Sequence, residues 1–214
     1  LINAMAARWD IDVQFVQVTS SNAIQALASG IVDIVAASMA HKQEREEQID
    51  FSQTYFLDGQ SLLTRRYSGI TGIFDLDDRV VAAIQGSTSI AQIQAYADAN
   101  GINIEILPFQ EHPPALAALA AGQVDALTSD SVFLTQAAKD NPSFAVVGGR
   151  FTSEPYGLGV PTNDSYFRAL VDATLQQLKL NGEYDRIYEK WFGGDIPYPV
   201  EITPGQWPYT FASS

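Results

Sequence analysis

Cysteine is absent from the 214 residues, which removes disulfides, thiolate metal sites and cysteine nucleophiles together. That absence does not fix the compartment. Histidine is nearly absent too: His41 and His112 are the only two. They lie far apart and neither has a partner at metal-ligand spacing, so no bound metal is expected. There is no Gly-x-Ser-x-Gly elbow and no His-Glu-x-x-His pattern, and no spacing pairs two of the many carboxylates. No catalytic residue and no cofactor are therefore expected. No apolar run is long enough to span a bilayer, and no signal peptide is visible. Positive charge is scarce: 12 Lys and Arg stand against 25 Asp and Glu, for a net charge of -13. Such a surface repels phosphate backbones and argues against a nucleic-acid partner. It keeps a soluble monomer soluble.

What is present suffices for a folded protein. The apolar fraction is 46%, ordinary for a globular chain, and the length fits one large or two small domains. Leu1, Ile2, Met5, Ala6 and Trp9 form an apolar stripe at helical spacing with no capping residue before it, so the chain is expected to open inside a helix. A strand feeding that helix is expected upstream.

Beyond that point strands and helices alternate. The patterns predict strands over Ile11–Val18, Val32–Ala36, Gln60–Arg66, Val80–Ile84, Ile102–Leu107, Val124–Thr128 and Phe144–Val147. They predict helices over Asn22–Ser29, Ser89–Ala99, Pro114–Ala121 and Ser131–Lys139. This order predicts α/β layers with mostly parallel sheets. Phe167, Leu170, Val171, Thr174, Leu175 and Leu178 make a further helical stripe, with Asn163 or Asp164 as its cap and Asn181-Gly182 as its end. The cap explains Asn163-Asp164-Ser165 better than a glycosylation sequon does. Tyr184, Ile187, Tyr188 and Trp191 make another stripe, and the proline-rich stretch from Gly193 is expected to be extended.

The chain also matches itself. Residues 22–38 (NAIQALASGIVDIVAAS) align with 114–130 (PALAALAAGQVDALTSD). Ala23, Ala26, Leu27, Ala28, Gly30, Val32 and Asp33 are identical to Ala115, Ala118, Leu119, Ala120, Gly122, Val124 and Asp125. Each copy reads as helix, glycine stop, Val-Asp and buried strand. The strands would deliver Ser38 and Asp130 at their carboxyl ends, where open α/β sheets bind ligands. Two related lobes explain the match; common Ala, Leu and Gly usage in any helix–Gly–strand unit explains it too.

Two other stretches carry polar chemistry. Val80–Ile84 runs into Gln85-Gly86-Ser87-Thr88-Ser89 and then a helix, which offers backbone N–H groups and hydroxyls to an anion. Ordinary capping by Ser87 or Ser89 accounts for the same residues. The turn lacks the lysine and second glycine of a phosphate loop. Arg45 could clamp a carboxylate with two parallel hydrogen bonds; a solvated helix with a Lys42–Glu46 pair reads equally well.

Together these segments resemble the family 3 solute-binding proteins of polar amino-acid ABC importers. The resemblance runs from Leu1 to about Gly194. It is carried by Ala26–Asp33, Arg45–Ser52, Ala83–Thr88, Gly122–Ala126 and Lys190–Gly193, five matches in one order. It implies a two-lobed, type II periplasmic-binding-protein-like α/β fold, mostly parallel, with two crossing hinge strands. Leu62–Tyr67 would leave lobe 1 and Pro155–Val160 would return to it. The implied organisation is 1–66 as the first part of lobe 1, 67–155 as lobe 2, 156–194 as the C-terminal helices of lobe 1, and 195–214 as a tail. The missing upstream strand would carry an aromatic that covers the ligand.

The resemblance also implies roles. Arg45 would clamp the α-carboxylate of a free amino acid, Thr88 would add a hydroxyl or N–H to it, and Asp130 would hold the α-ammonium. Ser38 would meet the ligand through its backbone or hydroxyl. Asn22 matches an asparagine of the site, and Ser89 and Ser129 are candidates for side-chain selection. Ligand charges held from both lobes would favour a closed state, read by an ABC permease outside the cytoplasm, in the periplasm or anchored to a membrane through a preceding segment. Three departures stand out. Ala40 replaces the usual Thr or Ser, Ser20 replaces an aromatic, and Ala23 replaces the arginine of relatives that bind acidic amino acids. Two other functions fit the same fold: a ligand-sensing domain of a receptor or channel, and a dehydratase-like enzyme.

Overall fold

A computed structural model of the chain describes residues 1–193. In chain order its elements begin with helices α1 (Ile2–Trp9), α2 (Ala23–Ala28) and α3 (Gln43–Glu46). Strands β1 (Asp50–Phe51), β2 (Phe56–Asp58), β3 (Gln60–Arg65) and β4 (Arg79–Ile84) follow, then helix α4 (Ser89–Asn100) and strand β5 (Ile104–Phe109). Helix α5 (His112–Ala121), strand β6 (Ala126–Asp130), helix α6 (Ser131–Asp140) and strands β7 (Phe144–Val147), β8 (Glu154–Tyr156) and β9 (Gly159–Val160) come next. Helices α7 (Ser165–Leu180) and α8 (Glu183–Phe192) end the described chain. The expected extended tail, 195–214, lies outside the described residues.

The chain divides into two compact units. The first holds Leu1–Gln17, Ala26–Leu57 and the described residues from Pro155 on; the second holds Val18–Gln25 and Asp58–Glu154. The change of unit falls at Leu57/Asp58 and at Glu154/Pro155, inside β2 and β8, which pair with each other. The expected boundaries were 66/67 and 155/156. Leu62–Tyr67 is not the outgoing crossing, because Leu62 to Arg65 lie in β3, in the middle of the second unit's sheet. A buried apolar run reads the same from sequence whether it crosses a hinge or fills a sheet.

The second unit is built on the order β5-β4-β6-β3-β7. β4 is parallel to both β5 and β6. β3 alone runs against its neighbours β6 and β7. Because successive strand residues face opposite ways, Leu62, Val81 and Ala126 line one face, with Ile93 and Ala97 of α4. Leu63, Ala82 and Leu127 line the other, with Ala115, Leu119, Leu134 and Ala137 of α5 and α6. A sheet covered on both sides needs nearly continuous apolar strands, which is what Val80–Ile84 supplies. At the end of α5, Gly122 has φ +75, and Arg65 Nη1 donates to the carbonyls of Leu119 and Val124 at 2.8 Å each. The bond to Leu119 meets a carbonyl of the last turn of α5, and the bond to Val124 ties the segment after the helix to β3.

The first unit packs helices. Met5 of α1, Val171, Leu175 and Leu178 of α7, Tyr184 of α8 and Leu158 and Val160 share one apolar cluster. Asp164 caps α7 by accepting from the Phe167 N–H at 2.9 Å, as the sequence predicts. The expected parallel sheet is not found among the described residues of this unit. β1 and β9 form an antiparallel pair, Asp50 opposite Val160, and Val35 adds one bridge to Gly159. The predicted strands Ile11–Val18 and Val32–Ala36 are absent. Ile11 and Phe15 are 55% and 71% exposed. Alternation gives a segment a face, but a strand also needs a hydrogen-bonding neighbour.

The self-match therefore holds in part. Both copies form a helix, and both stop at a left-handed glycine, Gly30 (φ +73) and Gly122 (φ +75). Only the second copy continues into a laddered strand, so Asp130 ends a strand and Ser38 does not.

Candidate functional site

The second unit has a topological switch. From β4 the chain passes through α4 to β5 on one side, then through α5 to β6 on the other side of β4. Neighbouring parallel strands whose connections leave in opposite directions open a crevice at their carboxyl ends, where such sheets hold ligands. Here those ends are the Gln85–Ser89 turn after β4 and Asp130 at the end of β6. The sequence singled out both.

Asp130 occupies the N-cap of α6 but makes no side-chain cap bond. Asp58 does that work. It accepts from the Val132 N–H at 3.1 Å and from the Ser131 hydroxyl, and lies 3.5 Å from Arg150 Nη1. The Asp130 carboxylate instead accepts from Gln60 Nε2 at 2.8 Å. The register explains the meeting. β3 is antiparallel to β6, so its first residue, Gln60, lies opposite the last residue of β6, Asp130.

Gln60 is wholly buried and its amide is fully used. The second Nε2 proton goes to Glu154 Oε2 at 2.9 Å, and Oε1 accepts from Ser89 Oγ at 2.8 Å. Glu154, 1% exposed, also accepts from Thr88 Oγ1 at 2.6 Å and Gln92 Nε2 at 2.5 Å. Thr88 and Ser89 are thus tied to Asp130 through Gln60 and Glu154. Burying a carboxylate is costly unless its lone pairs are met, and three donors meet these.

The turn after β4 is held tightly. Thr88 is the N-cap residue of α4 without a side-chain cap bond. Ser87 Oγ accepts from the Ser89 N–H, the first of α4, at 3.2 Å and donates to the Ile84 carbonyl, so of the two serines Ser87 caps the helix start and Ser89 does not. Gly86 (φ +77) approaches Ser21 so closely that a Cβ would lie 2.6 Å from the Ser21 Cα. Asn22, two residues from Ser20, is exposed and its Oδ1 accepts from the Thr19 N–H at 2.7 Å. Ser129 is buried and its hydroxyl lies 2.9 Å from His112 Nε2. Burial pushes the His112 pKa below its ordinary value.

Arg45 and Ser38 belong to the first unit. Arg45 lies on the short helix α3, half-buried, and its Nη1 donates to the Ala40 carbonyl at 3.0 Å. Ala40 is fixed by a bridge to Tyr156, and the His41 N–H donates to the Pro155 carbonyl at 2.9 Å. Glu46 faces His41 at 3.4 Å, not the expected Lys42. Ser38 is exposed and has φ +47, a left-handed conformation uncommon for a residue with a side chain. Among the described residues no group of three His, Cys, Asp or Glu side chains is placed to hold a metal ion. No helix among them is long and apolar enough to cross a membrane.

Gln60, Glu154 and Gln92 were not singled out from sequence. Gln60 left one trace: a polar residue opening a run, Gln60–Arg66, that otherwise reads as a buried strand. Such a residue needs a partner. Glu154 and Gln92 sit in no motif.

The model of the bacterial extracellular solute-binding proteins, family 3, matches residues 1–194, and the chain belongs to that family. It is 38% identical over 183 residues to the ABC transporter glutamine-binding protein GlnH of Bacillus subtilis (strain 168), covering 85% of this chain and 66% of that protein. It is 29% identical over 191 residues to the glutamate/aspartate import solute-binding protein of Escherichia coli (strain K12), covering 88% of this chain and 63% of that one. The chain thus spans less than two thirds of either relative. An ancestral arginine-binding protein bound to glutamine superposes with a TM-score of 0.82 at 34% identity, over 90% of this chain and 85% of that one. The ancestral amino acid-binding protein AncCDT-1, a precursor of cyclohexadienyl dehydratase, does so with a TM-score of 0.80 at 30% identity, over 89% and 82%. The fold is the two-lobed α/β fold of these amino-acid-binding proteins.

Proposed function

We propose that this protein binds a free amino acid outside the cytoplasm and passes it to the membrane permease of an ABC importer, without catalysing a reaction on it. The observation that carries this reading is the topological switch of the second unit. It sets a carboxylate, Asp130, at the end of β6 beside a turn whose N–H groups open α4. Asp130 takes the α-ammonium. Arg45 takes the α-carboxylate, with the backbone N–H groups of the Thr88 turn adding to it. A zwitterion buried without such partners would be strongly disfavoured, and each charge-assisted bond contributes on the order of 1.5–3 kcal/mol. The names of the relatives support binding over catalysis, and the family's extracellular setting supports the location.

The test is a thermal-shift panel of free amino acids. At a concentration of 100 times Kd the stabilisation is about 2.7 kcal/mol, and only a few members of the panel should produce it. Arg45→Ala should remove the shift. A panel in which no amino acid shifts the melting curve would sink the reading; an unchanged shift in Arg45→Ala would sink the assignment of Arg45.

A further inference from the structure

We propose that Glu154 and Gln60 are positioning residues that set ligand choice: they take up the hydroxyl protons of Thr88 and Ser89, so that the Thr88 side chain offers a ligand only acceptor sites and disfavours an amino acid with a side-chain carboxylate. The inference rests on the amino-acid reading above.

The geometry is a count of hydrogens. Thr88 has one hydroxyl proton, and it goes to Glu154 at 2.6 Å. Ser89 has one, and it goes to Gln60 Oε1 at 2.8 Å. Both amide protons of Gln60 are taken, by Asp130 and Glu154. One of the two of Gln92 goes to Glu154. Gln92 Oε1, in turn, is buried and has no hydrogen-bond partner among the described residues. Thr88 is left with its lone pairs, since a hydroxyl carries one proton and two acceptor sites. Its hydroxyl can accept from an ammonium, an amide or a guanidinium, and cannot donate to a carboxylate. The expected role of Thr88 toward the α-carboxylate then falls to its backbone N–H.

Charge points the same way. The partners of Glu154 are two amides and a hydroxyl, all neutral, and Gln60 links it to a second carboxylate, Asp130. A further carboxylate brought to this cluster would meet like charge and no donor proton from the Thr88, Ser89 or Gln60 side chains. Side chains that donate, such as those of glutamine and arginine, meet acceptors.

Glu154→Gln reads this directly. The new amide can donate to Thr88 Oγ1, and the Thr88 proton can then turn outward. The probes are glutamine, arginine and glutamate, measured by calorimetry on the full chain. The wild type should bind glutamine or arginine at least about tenfold more tightly than glutamate. In Glu154→Gln the ratio of glutamate Kd to glutamine Kd should fall by about tenfold, while Glu154→Asp, which keeps the charge, should hold the wild-type ratio. A wild type that prefers glutamate overturns the inference and leaves the amino-acid reading standing. So does a Glu154→Gln protein in which all three affinities fall by one factor, the mark of a merely structural role. Absence of binding by any of the three to the wild type, together with a silent panel, overturns the amino-acid reading and this inference with it. The wild-type ratio needs no variant, so a Glu154→Gln chain that fails to fold leaves the test in place.

Discussion

Asp172→Asn should stabilise the protein at neutral pH and leave it unchanged in acid. Asp172 lies on α7, is 2% exposed, and accepts from the Gln53 N–H at 2.6 Å. Burial pushes its pKa up from 3.8 to about 6, against the pull of the Gln53 bond and of Arg168. Arg168 is also engaged with Asp50 at 3.2 Å, which explains why it does not hold the carboxyl down. Since the folded state binds this proton more tightly than the unfolded chain, stability falls as pH rises from about 4 to about 6 and is level above. A shift of about two units corresponds to a ceiling of about 3 kcal/mol. Residual solvent screening reduces this to about 1–2 kcal/mol. Asparagine keeps an acceptor for the Gln53 N–H and removes the charge. Urea unfolding followed by tryptophan fluorescence should show the variant more stable by that amount at pH 7.5 and equal or slightly weaker at pH 4. A difference of the same size at both pH values would refute the argument, because the gain would then not come from ionisation.

Two further outcomes follow from the second unit. The neutral His112 beside Ser129 resists protonation in the fold, so its contribution is intact above its unfolded pKa near 6.5 and declines as pH falls below that value; His112→Asn should flatten that limb of the urea midpoint against pH. Gly86→Ala should lower the melting temperature, since the new Cβ would lie 2.6 Å from the Ser21 Cα at a φ of +77; an unchanged melting curve would mean that the Val18–Gln25 segment is not packed on this turn as described.

The sequence made the second unit legible because its central strands, β3, β4 and β6, are covered on both faces. A two-sided sheet needs unbroken apolar runs, and Val80–Ile84 and Phe144–Val147 are such runs. Glycine stops fixed the helix ends at Gly101 and Gly122. The first unit was less legible for the converse reason. Ile11–Val18 has the alternation of a strand but no ladder partner among the described residues, and periodicity says nothing about partners. Arg45, Thr88 and Asp130 stand out in the sequence because each sits at a junction that local rules mark, a charged helix, a glycine turn before a helix and a strand end; the ligand roles proposed for them rest on the family resemblance.

Gln60 and Glu154 follow a different logic, which explains why they escaped. Their meeting depends on β3 being inserted against the direction of β6. Had β3 run parallel, its first residue would lie at the opposite edge of the sheet from Asp130, and its amide could not reach the crevice. The antiparallel insertion brings the point where the chain enters the second unit, Asp58–Gln60, and the point where it leaves, Glu154, to the same edge as the candidate ligand residues. Asp58 fixes the start of α6, Gln60 holds Asp130, and Glu154 holds Thr88 and Gln92. The residues that join the two units are therefore bonded to those that would hold the ligand. A change at the ligand groups must alter bonds made by the connecting residues, and the reverse. On this argument selectivity in the second unit is set one layer behind the surface that the ligand touches, by residues in direct covalent continuity with both connections.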